Sequence, residues 1–281
     1  MEKNKFKSSL AGSGFSFKKK LGQNFISDES LLERIVTGAG VDGSSTVIEI
    51  GCGAGTLTRA LADRAKKVYG YEIDQTLKPV LARALDGKDN AEIIYKDFLR
   101  VRLDELEKTL PPYKVVANLP YYITTPLIMT FVENSKKCLS LTVMVQEEVA
   151  LRLCAQPDTA DYGAITANVA LRGECRIIER VGREKFTPSP NVDSAVVHIE
   201  LCEKRLEVSD TELYKKVVRT AFSSRRKTLE NNLVNGFSLT REAARALIEG
   251  CNLPASVRGE ALSSQDFARL SDALGGQINK K

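Results

Sequence analysis

Thr46-Val47-Ile48-Glu49-Ile50-Gly51-Cys52-Gly53-Ala54-Gly55-Thr56 is a β-branched run that stops at a glycine, repeats glycine at every second position, and leads into Leu57 and Leu61 at helical spacing. Strand, glycine turn and helix follow one another directly, which is the opening unit of a parallel sheet. Glycines in such a turn permit positive φ and let a ligand approach the backbone closely. The dinucleotide fingerprint Gly-x-Gly-x-x-Gly needs a third glycine where Thr56 stands.

Outward from this unit, strand patterns at residues 68–72, 91–95, 114–118 and 139–145 alternate with helical spacing at 31–36 and 77–85. Ser27 and Asp28 are the candidate caps of the first helix. Strands alternating with helices predict a mostly parallel sheet covered on both faces. Residues 165–171, 175–181 and 192–201 predict further strands, the last two as an antiparallel edge pair. Beyond about residue 208 the periodicity is helical. The expected organisation is a basic arm over 1–20, an α/β domain over 21–205 and a small all-helical domain over 206–281.

Ligands of open α/β sheets sit beyond the carboxyl ends of the strands. Glu72 and Asp74 end the second main strand, where a carboxylate accepts hydrogens from both ribose hydroxyls, and Asp97 ends the third, where it suits an adenine amino group. Both NAD and S-adenosylmethionine meet that description. The fourth strand ends in Asn118-Leu119-Pro120-Tyr121-Tyr122. An adenine amino nitrogen is a poor nucleophile because its lone pair is delocalised into the ring. The Asn118 side-chain oxygen and the Leu119 carbonyl suit its two N–H bonds, Pro120 stiffens the turn, and Tyr121 offers a ring to stack on the base. Such a site works by positioning and electrostatics and needs no strong base.

The other titratable groups narrow the chemistry. His198 is the only histidine and lies in an alternating strand pattern, so neither a Ser-His-Asp triad nor a multi-histidine metal site is expected. Six separated cysteines form no Cys-x-x-Cys pair, which argues against zinc and disulfides and fits a reducing compartment. No apolar run approaches the roughly 18 residues of a membrane span, and a secretory signal is not expected. No metal is expected.

The net charge of +5 sits at the two ends: residues 1–24 carry +5, residues 204–281 carry +5, and the intervening stretch carries −5. Lys18, Lys19 and Lys20 form one basic group, and Arg225, Arg226 and Lys227 form another between helical segments. Three consecutive basic residues cannot share one helix face. Both groups suit phosphate contacts to a nucleic acid, with a solvated surface as the alternative.

Taken in order, Leu21-Gly22-Gln23-Asn24-Phe25-Ile26, the glycine turn, Glu72-Ile73-Asp74, Asp97, the Asn118 turn and Phe186-Thr187-Pro188-Ser189-Pro190-Asn191-Val192-Asp193-Ser194 resemble the ribosomal RNA adenine dimethyltransferase family. The bacterial small-subunit branch is the nearest. The resemblance covers residues 18–270 and implies a Rossmann-like S-adenosylmethionine-dependent methyltransferase sheet with a small helical C-terminal domain. It implies that Asn24, Ile26, Gly51, Glu72, Asp97 and Asn118 contact the cofactor, with Gly53 in the same turn. It further implies that Phe186 faces the target base opposite Tyr121. The implied activity is N6,N6-dimethylation of two adjacent adenosines near the 3′ end of 16S rRNA, on the assembling 30S subunit. A cytoplasmic monomer without membrane contact is expected. Ile26 and Cys52 depart mildly from the family's usual Leu and Pro. The competing readings are a 23S rRNA adenine methyltransferase of the macrolide-resistance type, a DNA adenine methyltransferase, a dehydrogenase, and a non-catalytic ribosome-assembly factor.

Overall fold

The computed structural model describes residues 24–203 and 205–278. The basic arm over 1–20, with Lys18, Lys19 and Lys20, lies outside the described residues, as does Leu21-Gly22-Gln23.

The elements of the first unit are β1 (Phe25–Ile26), α1 (Glu29–Gly38), β2 (Thr46–Ile50), α2 (Thr56–Ala62), β3 (Lys67–Glu72), α3 (Lys78–Ala84), β4 (Ala91–Tyr95), α4 (Leu103–Thr109), β5 (Tyr113–Asn118), α5 (Tyr121–Asn134) and β6 (Cys138–Gln146). After α6 (Glu147–Leu153) and α7 (Ala164–Val169) come β7 (Gly173–Val181), β8 (Phe186–Thr187) and β9 (Ser194–Leu201). Four helices close the described chain: α8 (Thr211–Ala221), α9 (Leu229–Phe237), α10 (Arg241–Gly250) and α11 (Ser264–Ile278).

Seven strands form one Rossmann-like sheet in the order β4-β3-β2-β5-β6-β9-β7. The pairs β3–β4, β2–β3, β2–β5 and β5–β6 are parallel, and β6–β9 is antiparallel. From β2 the chain winds outward through β3 and β4, then returns to start at β5 and winds the other way. The reversal falls between β2 and β5, and a crevice opens where the order reverses. The expected edge strands are β7 and β9, neighbours at one end of the sheet.

Burial explains the register of the central strands. All five residues of β2 are buried, as a strand covered on both faces requires. Val47, Val68 and Val116 pack on one face with Leu31, Leu32, Ile35 and Val36 of α1 and Leu57 and Leu61 of α2. Each such fully buried aliphatic side chain contributes about 1.5–3 kcal/mol. Asp28 caps α1 by accepting from the Leu31 N–H at 3.1 Å. Lys185 Nζ donates to the same carboxylate at 2.6 Å and, with the Ser30 and Leu31 bonds, holds it well below the usual carboxylate range. His198 is buried within β9, with Nδ1 2.9 Å from Thr142 Oγ1 and Nε2 3.0 Å from Glu200 Oε2.

Two sequence expectations change. Residues 165–171, expected as a strand, are instead helical over 165–169, within α7. Ala164, Ala167, Asn168 and Leu171 lie on one helical face, and three alanines over 164–170 favour a helix over the three β-branched residues there. Ala167 and Leu171 join Tyr214, Val217 and Val218 in a core, where the Tyr214 hydroxyl donates to the Ala167 carbonyl at 2.9 Å. The second change is where the chain divides. Among the described residues, compact packing assigns 24–150 and 175–201 to one unit and 151–174, 202–203 and 205–278 to the other, so residues 151–174 leave the α/β unit. The second unit is helical, with caps at Asp210, Thr228 and Thr240 and a core that includes Leu229, Leu233, Leu247, Ile248 and Phe267.

Candidate active site

The ends of β2, β3, β4 and β5 meet in one pocket lined by Asn24, Ile26, Gly51, Gly53, Glu72, Asp97, Asn118, Leu119, Pro120, Tyr121 and Phe186, among others. The expected site residues of the first unit that the structure describes fall on the same crevice except Asp74, whose carboxylate instead accepts from the Thr76 N–H at 3.0 Å and caps the turn after β3.

The glycine turn is built by backbone conformation. Gly51 and Gly53 have φ of 82° and 54°, in the left-handed region. A Cβ on Gly51 would sit 2.9 Å from Leu119 Cδ2, and one on Gly53 would sit 2.8 Å from the Phe25 ring. The turn is thus pressed against both the β5 exit and β1. Glu72 ties it to β3: Oε2 accepts from the Gly53 N–H at 2.8 Å and Oε1 accepts from the Asp74 N–H at 2.7 Å. Burial pushes this carboxyl up, and the two N–H bonds oppose the shift. A carboxylate has about four acceptor positions, so two remain for ligand hydroxyls. Asp97 caps the short turn after β4 by accepting from the Leu99 N–H at 3.0 Å, and it lies 3.5 Å from Arg100.

β1 lines the crevice. It pairs antiparallel with β8, Ile26 opposite Phe186, and the Thr56 hydroxyl donates to the Ile26 carbonyl at 2.7 Å. The residue that breaks the dinucleotide fingerprint therefore anchors this strand. Asn118 Nδ2 donates to the Asn24 carbonyl at 3.1 Å. Only the amide nitrogen can donate to a carbonyl, so this bond fixes which way the amide lies and leaves Oδ1 as the acceptor for a ligand.

Tyr121 opens α5 directly after Pro120 and is half-buried. Its hydroxyl lies 2.8 Å from Ser194 Oγ at the start of β9, and burial pushes its phenol up, so it stays protonated at neutral pH. Ser194 was legible only as the last residue of the Phe186–Ser194 motif; its contact with Tyr121 needed the fold. Phe186 lines the crevice from within the core. It is 2% exposed and packs with Ile26 and Val196, because pairing with β1 carries it into the core. Only a small part of it lines the crevice, whereas Tyr122 is 69% exposed at the same pocket.

In the helical unit, the loop between α8 and α9 carries Arg225, Arg226 and Lys227. Asn232 braces it by donating to the carbonyls of Ala221 at 2.8 Å and Ser224 at 3.2 Å. Arg225 is engaged within the unit: it donates to the carbonyls of Ala160 at 2.8 Å and Tyr162 at 3.3 Å and pairs with Glu260 at 3.2 Å. Arg226 and Lys227 are exposed. At least one of the three was expected to point outward; all three are exposed, and Arg225 in addition braces the loop.

A family model described as "Ribosomal RNA adenine dimethylase" matches residues 14–274. The Ribosomal RNA small subunit methyltransferase A of Streptococcus equi subsp. zooepidemicus is 44% identical over 269 residues, 93% of each chain. That of Clostridium botulinum is 42% identical over 261 residues, 92% of this chain and 94% of its own. Among solved structures, a dimethyladenosine transferase from Plasmodium falciparum matches with a TM-score of 0.77 at 24% identity, covering 91% of this chain and 98% of that one. The 23S rRNA methyltransferase ErmE matches with a TM-score of 0.71 at 28% identity, covering 90% and 100%.

Proposed function

The chain belongs to the ribosomal RNA adenine dimethylase family, and we propose from that membership and the crevice that it dimethylates N6 of two adjacent adenosines near the 3′ end of 16S rRNA. It is an rRNA methyltransferase enzyme. The observation that carries the adenine chemistry is the Asn118 amide, held by the Asn24 carbonyl with its oxygen left to accept. The small-subunit assignment is favoured over the 23S one by the higher identity to the small-subunit relatives, 42–44% against 28%.

S-adenosylmethionine, when bound, supplies an electrophilic methyl group on a sulfonium sulfur. The chain's part is to hold and orient. Glu72 would accept from ribose hydroxyls, Asp97 would accept from the cofactor's adenine amine, and Asn24, Ile26, Gly51 and Gly53 would shape the cradle. Asn118 Oδ1 and the Leu119 carbonyl accept the two N–H bonds of the target amine, drawing its lone pair out of the ring and toward the methyl group. The methyl group that the bound cofactor would supply would pass to this nitrogen, with the thioether as leaving group, and solvent would take the nitrogen's proton. Pro120 stiffens this turn. Tyr121, held by Ser194, stacks on the base, and the buried Phe186 backs the pocket floor. The target adenine must leave its stack to enter. The partner is 16S rRNA in an assembling 30S subunit, and the place of action is the cytoplasm.

Incubation with labelled S-adenosylmethionine and unmethylated 30S particles, followed by nucleoside analysis, is expected to yield N6,N6-dimethyladenosine. Label in 23S rRNA alone, or none despite cofactor binding, would overturn this reading.

Arg226 and Lys227, with the arm's Lys18, Lys19 and Lys20, are the proposed phosphate contacts, while Arg225 holds the loop that presents them. Changing Arg226 and Lys227 together to alanine is expected to weaken RNA binding about tenfold and to reduce the slope of log affinity against log salt by about 1–2. Arg225→Ala is instead expected to lower the thermal midpoint by about 2–4 °C. Salt-dependent binding and melting curves separate the two roles.

A further inference from the structure

Glu49 is a carboxyl in the middle of an apolar strand, 0% exposed, and it lines the crevice. Neither of its oxygens has a hydrogen-bond partner. Its register neighbours are Gly70 on β3 and Val116 on β5, which bring no charge. From α2 the Thr58 hydroxyl, and from the glycine turn the Cys52 thiol, lean toward its ionised form, yet neither completes a bond to it. Glu72 opposes ionisation, and burial outweighs the rest, pushing the carboxyl up to about 8. The Cys52 thiol is itself pushed well above its usual range by burial and stays neutral. The other charged side chains lining the crevice are Glu72, Lys96 and Asp97.

An orphan carboxyl is costly to bury, and the cost falls when a cation comes within reach. S-adenosylmethionine carries a sulfonium and an ammonium against one carboxylate, a net positive ligand. Resting on the cofactor reading above, we propose that Glu49 is the counter-charge of this site. It is neutral before a cationic ligand enters and ionised once one has, so that binding releases one proton to the buffer. The sign follows directly: a ligand that favours the ionised form binds more tightly as pH rises. Affinity should increase about tenfold per pH unit up to about pH 8, then level off.

The test is calorimetric titration of the full chain with S-adenosylmethionine at pH 7, in buffers of low and high ionisation enthalpy. Wild type is expected to release nearly one proton per ligand bound, and Glu49→Gln close to none. Binding without proton release by wild type, or equal release by Glu49→Gln, overturns the proposal and leaves the cofactor reading standing. No binding at all sinks both. If Glu49→Gln does not fold, wild type alone decides: an infrared difference spectrum should lose a protonated-carboxyl stretch on ligand addition, and its persistence overturns the proposal.

Discussion

Asn118→Ala is expected to lower kcat/KM on unmethylated 30S particles by about 10²–10³-fold, the scale of losing a positioned polar group at a reacting centre. The change deletes the acceptor proposed for the target amine and the bond to the Asn24 carbonyl. That bond, at 3.1 Å and part-buried, accounts for only about 1 kcal/mol of stability. Melting should therefore shift by no more than about 4 °C while turnover collapses. Asn118→Asp sharpens the test: a carboxylate cannot donate to the Asn24 carbonyl, so the side chain loses its anchor although an acceptor remains. Both variants should be slow. Wild-type turnover by either would remove Asn118 from the reaction.

Gly51→Ala is the second large effect. At φ 82° a side chain costs about 1–2 kcal/mol, and the added Cβ meets Leu119 Cδ2 at 2.9 Å. Leu119 is 7% exposed and belongs to the amine turn, so relief of the contact moves the very residues that receive the substrate. One methyl group is then felt on both sides of the crevice. Cofactor affinity should fall at least tenfold by calorimetry, with turnover falling further than affinity. Unchanged affinity would mean that the turn tolerates a side chain and that its glycines serve folding alone.

Much of this was legible in sequence because the signals were local. The run from Thr46 to Thr56 specified strand, turn and helix within eleven residues, and the structure places β2 and α2 there. The strand patterns at 68–72, 91–95, 114–118 and 139–145 correspond to β3–β6 within a residue at each end. The pattern failed at 165–171, where a short apolar stretch supports two periods and only its packing against Tyr214 decides. The burial of Phe186 was not legible, since nothing local reveals that its strand pairs with Ile26, 160 residues away in sequence. Arg225 hid its role for the same reason, because the carbonyls it serves lie at Ala160 and Tyr162. Glu49 did leave a trace: a charge inside a buried β-branched run is anomalous. Its lack of a partner needed the fold.

The helical unit draws on two separate stretches, 151–174 and the described residues beyond 201. Tyr162, Ala167 and Leu171 from the first stretch complete the core built by the second. The portable module is therefore discontinuous. Exchanging the tail alone between two relatives would combine an inherited 151–174 with foreign core partners, and each mismatched large side chain would cost about 2–5 kcal/mol. Changes at exposed loop positions such as Arg226 and Lys227 leave this core intact, whereas wholesale replacement of the helical unit requires two coordinated crossovers.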